Sequence, residues 1–353
     1  MIAIDPAAPS RILIIRLTAL GDVVYALPAL SALRKHCPKA WIAWAVEEAA
    51  AGLLRGHPQI DELIVVPRKN WQARLKGGRL PQVLAEAWRF RRNLRANGFH
   101  FAIELQGNLR GSLIARASGA RHKIGFAPPC NRECAHLLLN HAIAVDDKLH
   151  KVSRNMALLE AIGVPPCTEG VIPPPGEEGR GRVDEMVSRI DAGGSFVLLH
   201  PGVSRFGSFK QWPAEKYVRL CRMLKERGVG VGLSAGPGEE ELVRAIAGEA
   251  EGAVPVTGLG LLELAELMRK ARAFVGADTG PTQMAWMAGT PTVALMGPKD
   301  PRLYGPIGAP HRKLIADLPC RPCDRRECAD NRCMKEIAAE DVLTAAISIM
   351  KGR

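Results

Sequence analysis

Short apolar runs alternate along the chain with segments in which apolar residues recur every three or four positions. The runs 11–16, 41–46, 63–66, 101–105, 123–126 and 142–145 read as strands. Helical spacing fills the intervals at 23–36, 47–55, 108–118 and 150–162, the first interrupted by Pro28 and the last ended by Gly163. This alternation predicts a mostly parallel sheet with helices on both faces. A second alternation starts at Phe196: strands at 196–200, 229–234, 254–256 and 273–276, with helices at 213–227, 239–250 and 261–271 and a closing helix at 338–350. Between the halves, 163–182 is rich in Pro and Gly with almost no strand or helix pattern and reads as linker. The expected organisation is an N-terminal Rossmann-like domain over 1–165, a linker over 166–194 and a C-terminal Rossmann-like domain over 195–353. In this α/β arrangement the two parallel sheets face each other across a central cleft.

The stretch 273–300 organises the second half as strand, tight turn, short helix, turn, strand. Asp278-Thr279-Gly280-Pro281 breaks the strand with a residue able to cap a helix and a proline suited to its first turn. The helix is expected to start near Thr279 and to stop at Gly289. Its free N–H groups then sit at the carboxyl end of a strand, where α/β proteins bind phosphate. In the first half, strand 11–16 feeds the loop 17–22 and a helix, but without G-x-G-x-x-G, so an oxidoreductase loses its main support. Asp22 ends that loop, as a helix cap or as a general base.

At 353 residues, with 47% hydrophobic, the chain has room for two domains with substantial cores. The first ten residues lack an export signal and no apolar run reaches the ~18 residues of a membrane span, so a cytoplasmic protein is expected. Net charge is +12, which favours anionic partners. Residues 68–95 hold nine Lys or Arg against the single acid Glu86, while Val83, Ala87, Phe90 and Leu94 recur at helical spacing as a packing face. Aromatics are only 5% and no nucleic-acid motif occurs, so nucleic acid is not an expected partner. Nine cysteines, an odd number without an export signal, argue against a disulfide framework. Cys320, Cys323, Cys328 and Cys333 form the one candidate metal site, but their intervals depart from paired C-x2-C knuckles. A reduced or locally bridged loop is the alternative, and no metal is expected.

Four segments carry a family resemblance: RLTALGDVVYALPAL at 16–30, HPG at 200–202 with Lys210-Gln211-Trp212-Pro213, AGPGEEE at 235–241, and GADTGPTQMAWMAG at 276–289. In order and spacing the chain resembles the ADP-heptose:lipopolysaccharide heptosyltransferases, glycosyltransferase family nine, over nearly its whole length. The resemblance implies a GT-B fold and an inverting, metal-independent glycosyltransferase needing no cofactor. The implied reaction moves a heptose from ADP-heptose to the lipopolysaccharide core on its lipid A precursor. The implied location is peripheral, at the anionic inner face of the bacterial inner membrane.

The same resemblance assigns residues. Asp22 is the catalytic base, and Lys210, Ser204 and the Thr279 and Gly280 amides meet the leaving diphosphate. Glu239 holds the ribose, Leu259 lies against adenine, and Asp278 contacts the heptose. Gln283 stands on the donor side where the heptosyltransferase I pattern has a histidine. Arg16, Arg110, Arg132 and Glu133 fall on the acceptor side. Two other readings remain: a related transferase with a different nucleotide sugar or surface-glycan acceptor, and a non-catalytic anion-binding protein on the same fold.

Overall fold

The computed structural model describes residues 2–190, 194–323, 328 and 330–351. The chain divides into two compact units, Met1–Pro173 and Pro174–Arg353. The first contains strands β1 (Arg11–Ile15), β2 (Trp41–Glu47), β3 (Glu62–Val66), β4 (Phe101–Glu104), β5 (His122–Phe126) and β6 (His141–Ile143). Its helices are α1 (Leu20–His36), α2 (Glu48–Leu54), α3 (Arg68–Lys76), α4 (Leu80–Ala96), α5 (Leu109–Ala117) and α6 (Lys151–Glu160). The strands form one parallel sheet in the order β3-β2-β1-β4-β5-β6.

The second unit repeats the plan. Helix α7 (Glu177–Ile190) leads into β7 (Phe196–His200), α8 (Ala214–Lys225), β8 (Gly230–Ser234), α9 (Glu240–Glu249) and β9 (Ala253–Val256). Then come α10 (Leu261–Lys270), β10 (Ala273–Ala277), α11 (Gly280–Met287), β11 (Thr292–Leu295), β12 (Arg312–Leu314), α12 (Arg332–Lys335) and α13 (Ala339–Met350). All neighbours are again parallel, in the order β12-β11-β10-β7-β8-β9.

Both sheets are doubly wound, and each reverses direction between its first and fourth strands: β1 beside β4, and β7 beside β10. Loops leaving two such strands diverge to opposite faces, and the crevice between them is where open α/β sheets hold ligands. The central strands read as unbroken apolar runs because helices cover both faces. Every residue of β7 and β10 is buried, as are four of the five in β1.

Two expectations need correction. Pro28 does not interrupt α1, which runs from Leu20 to His36 with Pro28 inside it and buried. Nor is the Pro/Gly-rich stretch structureless: α7 spans Glu177–Ile190 and buries Val183, Met186 and Ile190, packing on α10. Glycines at 179 and 181 masked a pattern whose apolar positions, Val183, Met186 and Ile190, are spaced by three and four. Residues 191–193 of the expected linker lie outside the described residues. Among the described residues no helix is long and apolar enough to cross a membrane.

Candidate active site

In the first unit the switch point is built around Asp22, in the first turn of α1. The N-cap is Ala19, and no side chain caps the helix, so Asp22 is not the cap that its position allowed. Its Oδ2 instead lies 2.8 Å from Nη2 of Arg16. Arg16 is itself buried, its Nη1 donating to the carbonyl of Leu105 at the end of β4. The guanidinium thus ties the loop after β1 to the loop after β4 and fixes the orientation of Asp22, while its Nε is buried without a hydrogen-bond partner.

The β4 loop is held by a carboxylate that the motif reading did not single out. Glu104 is fully buried, and its Oε1 accepts N–H bonds from Gln106 (2.7 Å) and Gly107 (2.9 Å). Burial pushes this carboxyl up to about 7, against the N–H groups of Gly107 and Gln106 and the nearby Arg16, which pull it down. Gln106 turns back so that its Oε1 accepts from Leu17 (3.0 Å) and Thr18 (3.2 Å) of the loop that delivers Asp22. Two glycines make room. A Cβ on Gly107, at φ 69°, would stand 2.6 Å from the carbonyl oxygen of Cys130, and one on Gly111 would stand 2.1 Å from Glu104 Oε1.

Around this frame sits a basic cluster. Lys151 opens α6, and its ammonium is lowered to about 8, first by burial and then by Arg154, with Asp22 opposing and Arg16 and Arg132 adding. Arg110, in the first turn of α5, reaches the buried Glu47 at 3.4 Å, and Arg68 meets the same oxygen at 2.7 Å. Asn108 caps α5 by accepting the N–H of Gly111, Glu133 accepts the N–H of Leu109 at 3.0 Å in the same turn, and Arg132 beside it is exposed. The sequence shows Lys151 only as one more lysine at a helix start. Glu104 left a trace, a carboxylate at the end of the apolar run Phe101-Ala102-Ile103.

In the second unit the switch point lies between the loops after β7 and β10. Thr279 is the N-cap of α11, with Pro281 in the first turn and no side-chain cap bond. Asp278 is therefore not the cap. Its carboxylate is nearly buried, with Oδ2 2.5 Å from Nζ of Lys210 and Oδ1 accepting from Nε2 of Gln283 at 2.9 Å. Gln283 in turn accepts the indole N–H of Trp286 at 2.7 Å, so its amide serves Asp278 and is buried. Lys210 also donates to the Asp278 carbonyl at 2.9 Å. The hydroxyl oxygen of Thr279 is buried without a hydrogen-bond partner, at the positive end of the α11 dipole.

Lys210 is positioned by the residue two places on. Trp212 is almost fully buried, donates its N–H to the carbonyl of Ile337 at 3.0 Å, and meets Tyr217 edge-on at 4.7 Å. The Tyr217 hydroxyl donates to the carbonyl of His200 at 3.1 Å. One aromatic pair thereby anchors both ends of the loop between β7 and α8. Ser204, at its exposed middle, precedes the 3-10 turn Arg205–Lys210.

The third corner is Glu239, the N-cap of α9. Its Oε2 accepts the N–H of Gly236 at 2.7 Å and lies 3.5 Å from Nε2 of His200, whose Nδ1 is 3.0 Å from Ser234 Oγ. Burial holds His200 below the usual imidazole range, with Glu239 opposing. The carboxylate sits directly over Gly202: a Cβ there would lie 2.0 Å from Glu239 Oε2. Leu259, half-buried, follows β9 in the same row of carboxyl-end loops. The four clustered cysteines are free thiols, and Cys333 is pushed up chiefly by burial, with Cys323, Cys320 and Cys328 adding. Among the described residues no group of three or more His, Cys, Asp or Glu is arranged to hold a metal ion.

Comparison with known proteins bears on this geometry. The model for glycosyltransferase family 9 (heptosyltransferase) matches residues 87–334. Lipopolysaccharide heptosyltransferase 1 of Pseudomonas aeruginosa is 30% identical over 322 residues, covering 90% of this chain and 87% of that protein. Among solved structures, a family 9 glycosyl transferase from Veillonella parvula matches with a TM-score of 0.82 at 25% identity, covering 99% of this chain and 100% of its own. E. coli heptosyltransferase WaaC with ADP-2-deoxy-2-fluoro heptose matches with a TM-score of 0.74 at 23% identity, over 95% of this chain and 98% of its own. The paired doubly wound units are those of the GT-B heptosyltransferases. With a family model that spans most of the chain, these likenesses mean that it belongs to glycosyltransferase family 9, the heptosyltransferases, and is a glycosyltransferase.

Proposed function

We propose that the protein transfers a heptose from ADP-heptose to the lipopolysaccharide core, with inversion and without a metal ion, at an anionic membrane surface. The observation that carries the donor half is the group at the start of α11: Lys210 on Asp278, beside the buried, unpartnered hydroxyl of Thr279. A cation, a hydroxyl and N–H groups at one helix start form a preorganised site for the charge that builds on a leaving diphosphate. Glu239, clamped by Gly236 and His200 over Gly202, offers a fixed carboxylate to the ribose hydroxyls. Leu259 supplies an apolar surface for the base. The solved structure of E. coli WaaC with ADP-2-deoxy-2-fluoro heptose supports this choice of donor.

On the acceptor half, Asp22 takes the proton of the attacking hydroxyl. Arg16 holds Oδ2, which leaves Oδ1 to face the hydroxyl. Attack by that oxygen on the anomeric carbon, with departure of ADP from the opposite face, needs a single base and inverts the centre. Lys151, with Arg154 and Arg132 near it, gathers positive charge by Asp22, suited to a core carrying acidic sugars and phosphates, and in this proposal Arg110 adds to it from the start of α5. The names of the curated relatives support this acceptor.

The test is a donor and acceptor screen on purified protein. ADP is expected to raise the melting temperature more than UDP or GDP, and ADP release from ADP-heptose to require a heptose-free core acceptor. Equal stabilisation by all nucleotides, with no acceptor-dependent release, would remove this reading.

A further inference from the structure

Most of the large apolar side chains that the structure leaves exposed are gathered in one region of the first unit. Of the ten described, seven fall between Leu75 and Leu137. Helix α4 carries three of them, Leu80 (53% exposed), Leu84 (60%) and Trp88 (57%), at successive spacings of four residues. They therefore line one face, distinct from the buried face of Val83 and Leu94 that packs on the unit. The expected packing face was found; the second apolar stripe is additional to it.

That stripe continues in charge. At 3.6 residues per turn, Arg91 and Arg95 extend the row that Leu80, Leu84 and Trp88 begin, and Arg92 borders it. All three arginines are exposed, and the guanidinium of Arg92 lies 5.0 Å over the Trp88 ring. On the same segment Lys69, Lys76, Arg79 and Arg89 are also exposed, while the only acid, Glu86, is paired with Arg74. Helix α3 adds the exposed Leu75, and α5, which packs on α4, adds Leu109 and Leu113. A row of Leu and Trp followed by Arg, without a net negative neighbour, has the composition of a helix lying in a lipid interface: apolar side chains enter the acyl boundary while guanidiniums meet anionic headgroups.

We infer that α4, with the adjoining ends of α3 and α5, is the surface by which this protein docks on anionic lipid, Leu80, Leu84 and Trp88 entering the bilayer interface and Arg91, Arg92 and Arg95 pairing with headgroups. This deepens the membrane partner proposed above and gives it a location. Helix α5 starts at the Gln106–Gly107 turn beside Asp22, so the docking face adjoins the half of the site assigned to a lipid-anchored acceptor.

The experiment is co-sedimentation of the full chain with vesicles of phosphatidylcholine alone or containing about 30% phosphatidylglycerol. Wild type is expected to bind the anionic vesicles, salt-sensitively. The variant Leu80→Ser/Leu84→Ser/Trp88→Ser and the variant Arg91→Gln/Arg92→Gln are each expected to lose affinity about tenfold or more, with unchanged melting temperature because the changed side chains are exposed. As a second measurement, the emission difference between wild type and Trp88→Phe should shift to shorter wavelength on anionic vesicles only. Wild type failing to bind, or the triple serine variant binding like wild type, would overturn the inference. So would a lipid-free wild-type dimer that the triple variant abolishes, which would make this face a self-association surface. No donor or acceptor enters either readout, so failure here leaves the transfer reading standing, and failure of transfer leaves this result standing.

Discussion

The Nζ of Lys210 lies 2.5 Å from Oδ2 of Asp278 and 2.9 Å from the carbonyl of the same residue, with both side chains largely buried. The pair closes the loop after β7 onto the loop after β10, the two strands at which the second sheet reverses direction. Removing one partner of a largely buried pair strands the other charge. Lys210→Met is therefore expected to lose roughly 2–4 kcal/mol of stability and to weaken ADP binding about tenfold or more. Lys210→Met/Asp278→Asn should recover part of the stability but none of the ADP affinity. A double-mutant cycle by chemical denaturation and ADP titration checks both, and additive stability losses would show the pair to be uncoupled.

Gly202 tests the proposed ribose role of Glu239 without changing Glu239 itself. A methyl group there would lie 2.0 Å from the Glu239 carboxylate and would push it off the Gly236 N–H and away from His200. Gly202→Ala is expected to cost roughly 1–3 kcal/mol of stability and to weaken ADP binding about as much as Glu239→Ala. Wild-type ADP affinity in Gly202→Ala would mean that the position of Glu239 over Gly202 has no part in nucleotide binding.

Much of this was legible in the chain, and the residues show why. The apolar runs named nearly every strand because a parallel strand covered on both faces has no polar positions to confuse its limits. The turn at Asp278-Thr279-Gly280-Pro281 was readable because proline and glycine act through their own backbones, and α11 starts and stops as they dictate. Partners across the fold were not readable. Asp22 and Asp278 each stood where a cap could be, and only the structure shows Ala19 and Thr279 in that position, with the carboxylates given to Arg16 and to Lys210 and Gln283. Arg16 was assigned to the acceptor side, and only the structure shows that its Nη atoms meet Asp22 and the Leu105 carbonyl. Lys151 owes its place to the packing of α6 against α1, which no spacing in the sequence records.

Glu104 gives the first unit a pH signature. Its carboxyl is raised to about 7 by burial, above the ordinary value of 4.5. A carboxyl raised on folding binds its proton more tightly in the native state, so its contribution is largest below about 4.5 and is lost as pH rises through about 7. Between about pH 5 and about pH 7.5 the wild type should lose roughly 2 kcal/mol relative to Glu104→Gln, in which the group does not titrate. Denaturation curves of the two proteins at both pH values measure this difference. Parallel pH dependence would place the Glu104 proton elsewhere.

The assignment of Asp22 as the base that deprotonates the acceptor carries the most weight, and steady-state transfer by Asp22→Asn, set beside its ADP affinity, tests it most directly. Loss of a general base predicts a fall in kcat of ~10²–10⁴ with ADP binding held within about threefold, because the nucleotide is assigned to the other unit. Turnover in Asp22→Asn close to that of the wild type would contradict the account.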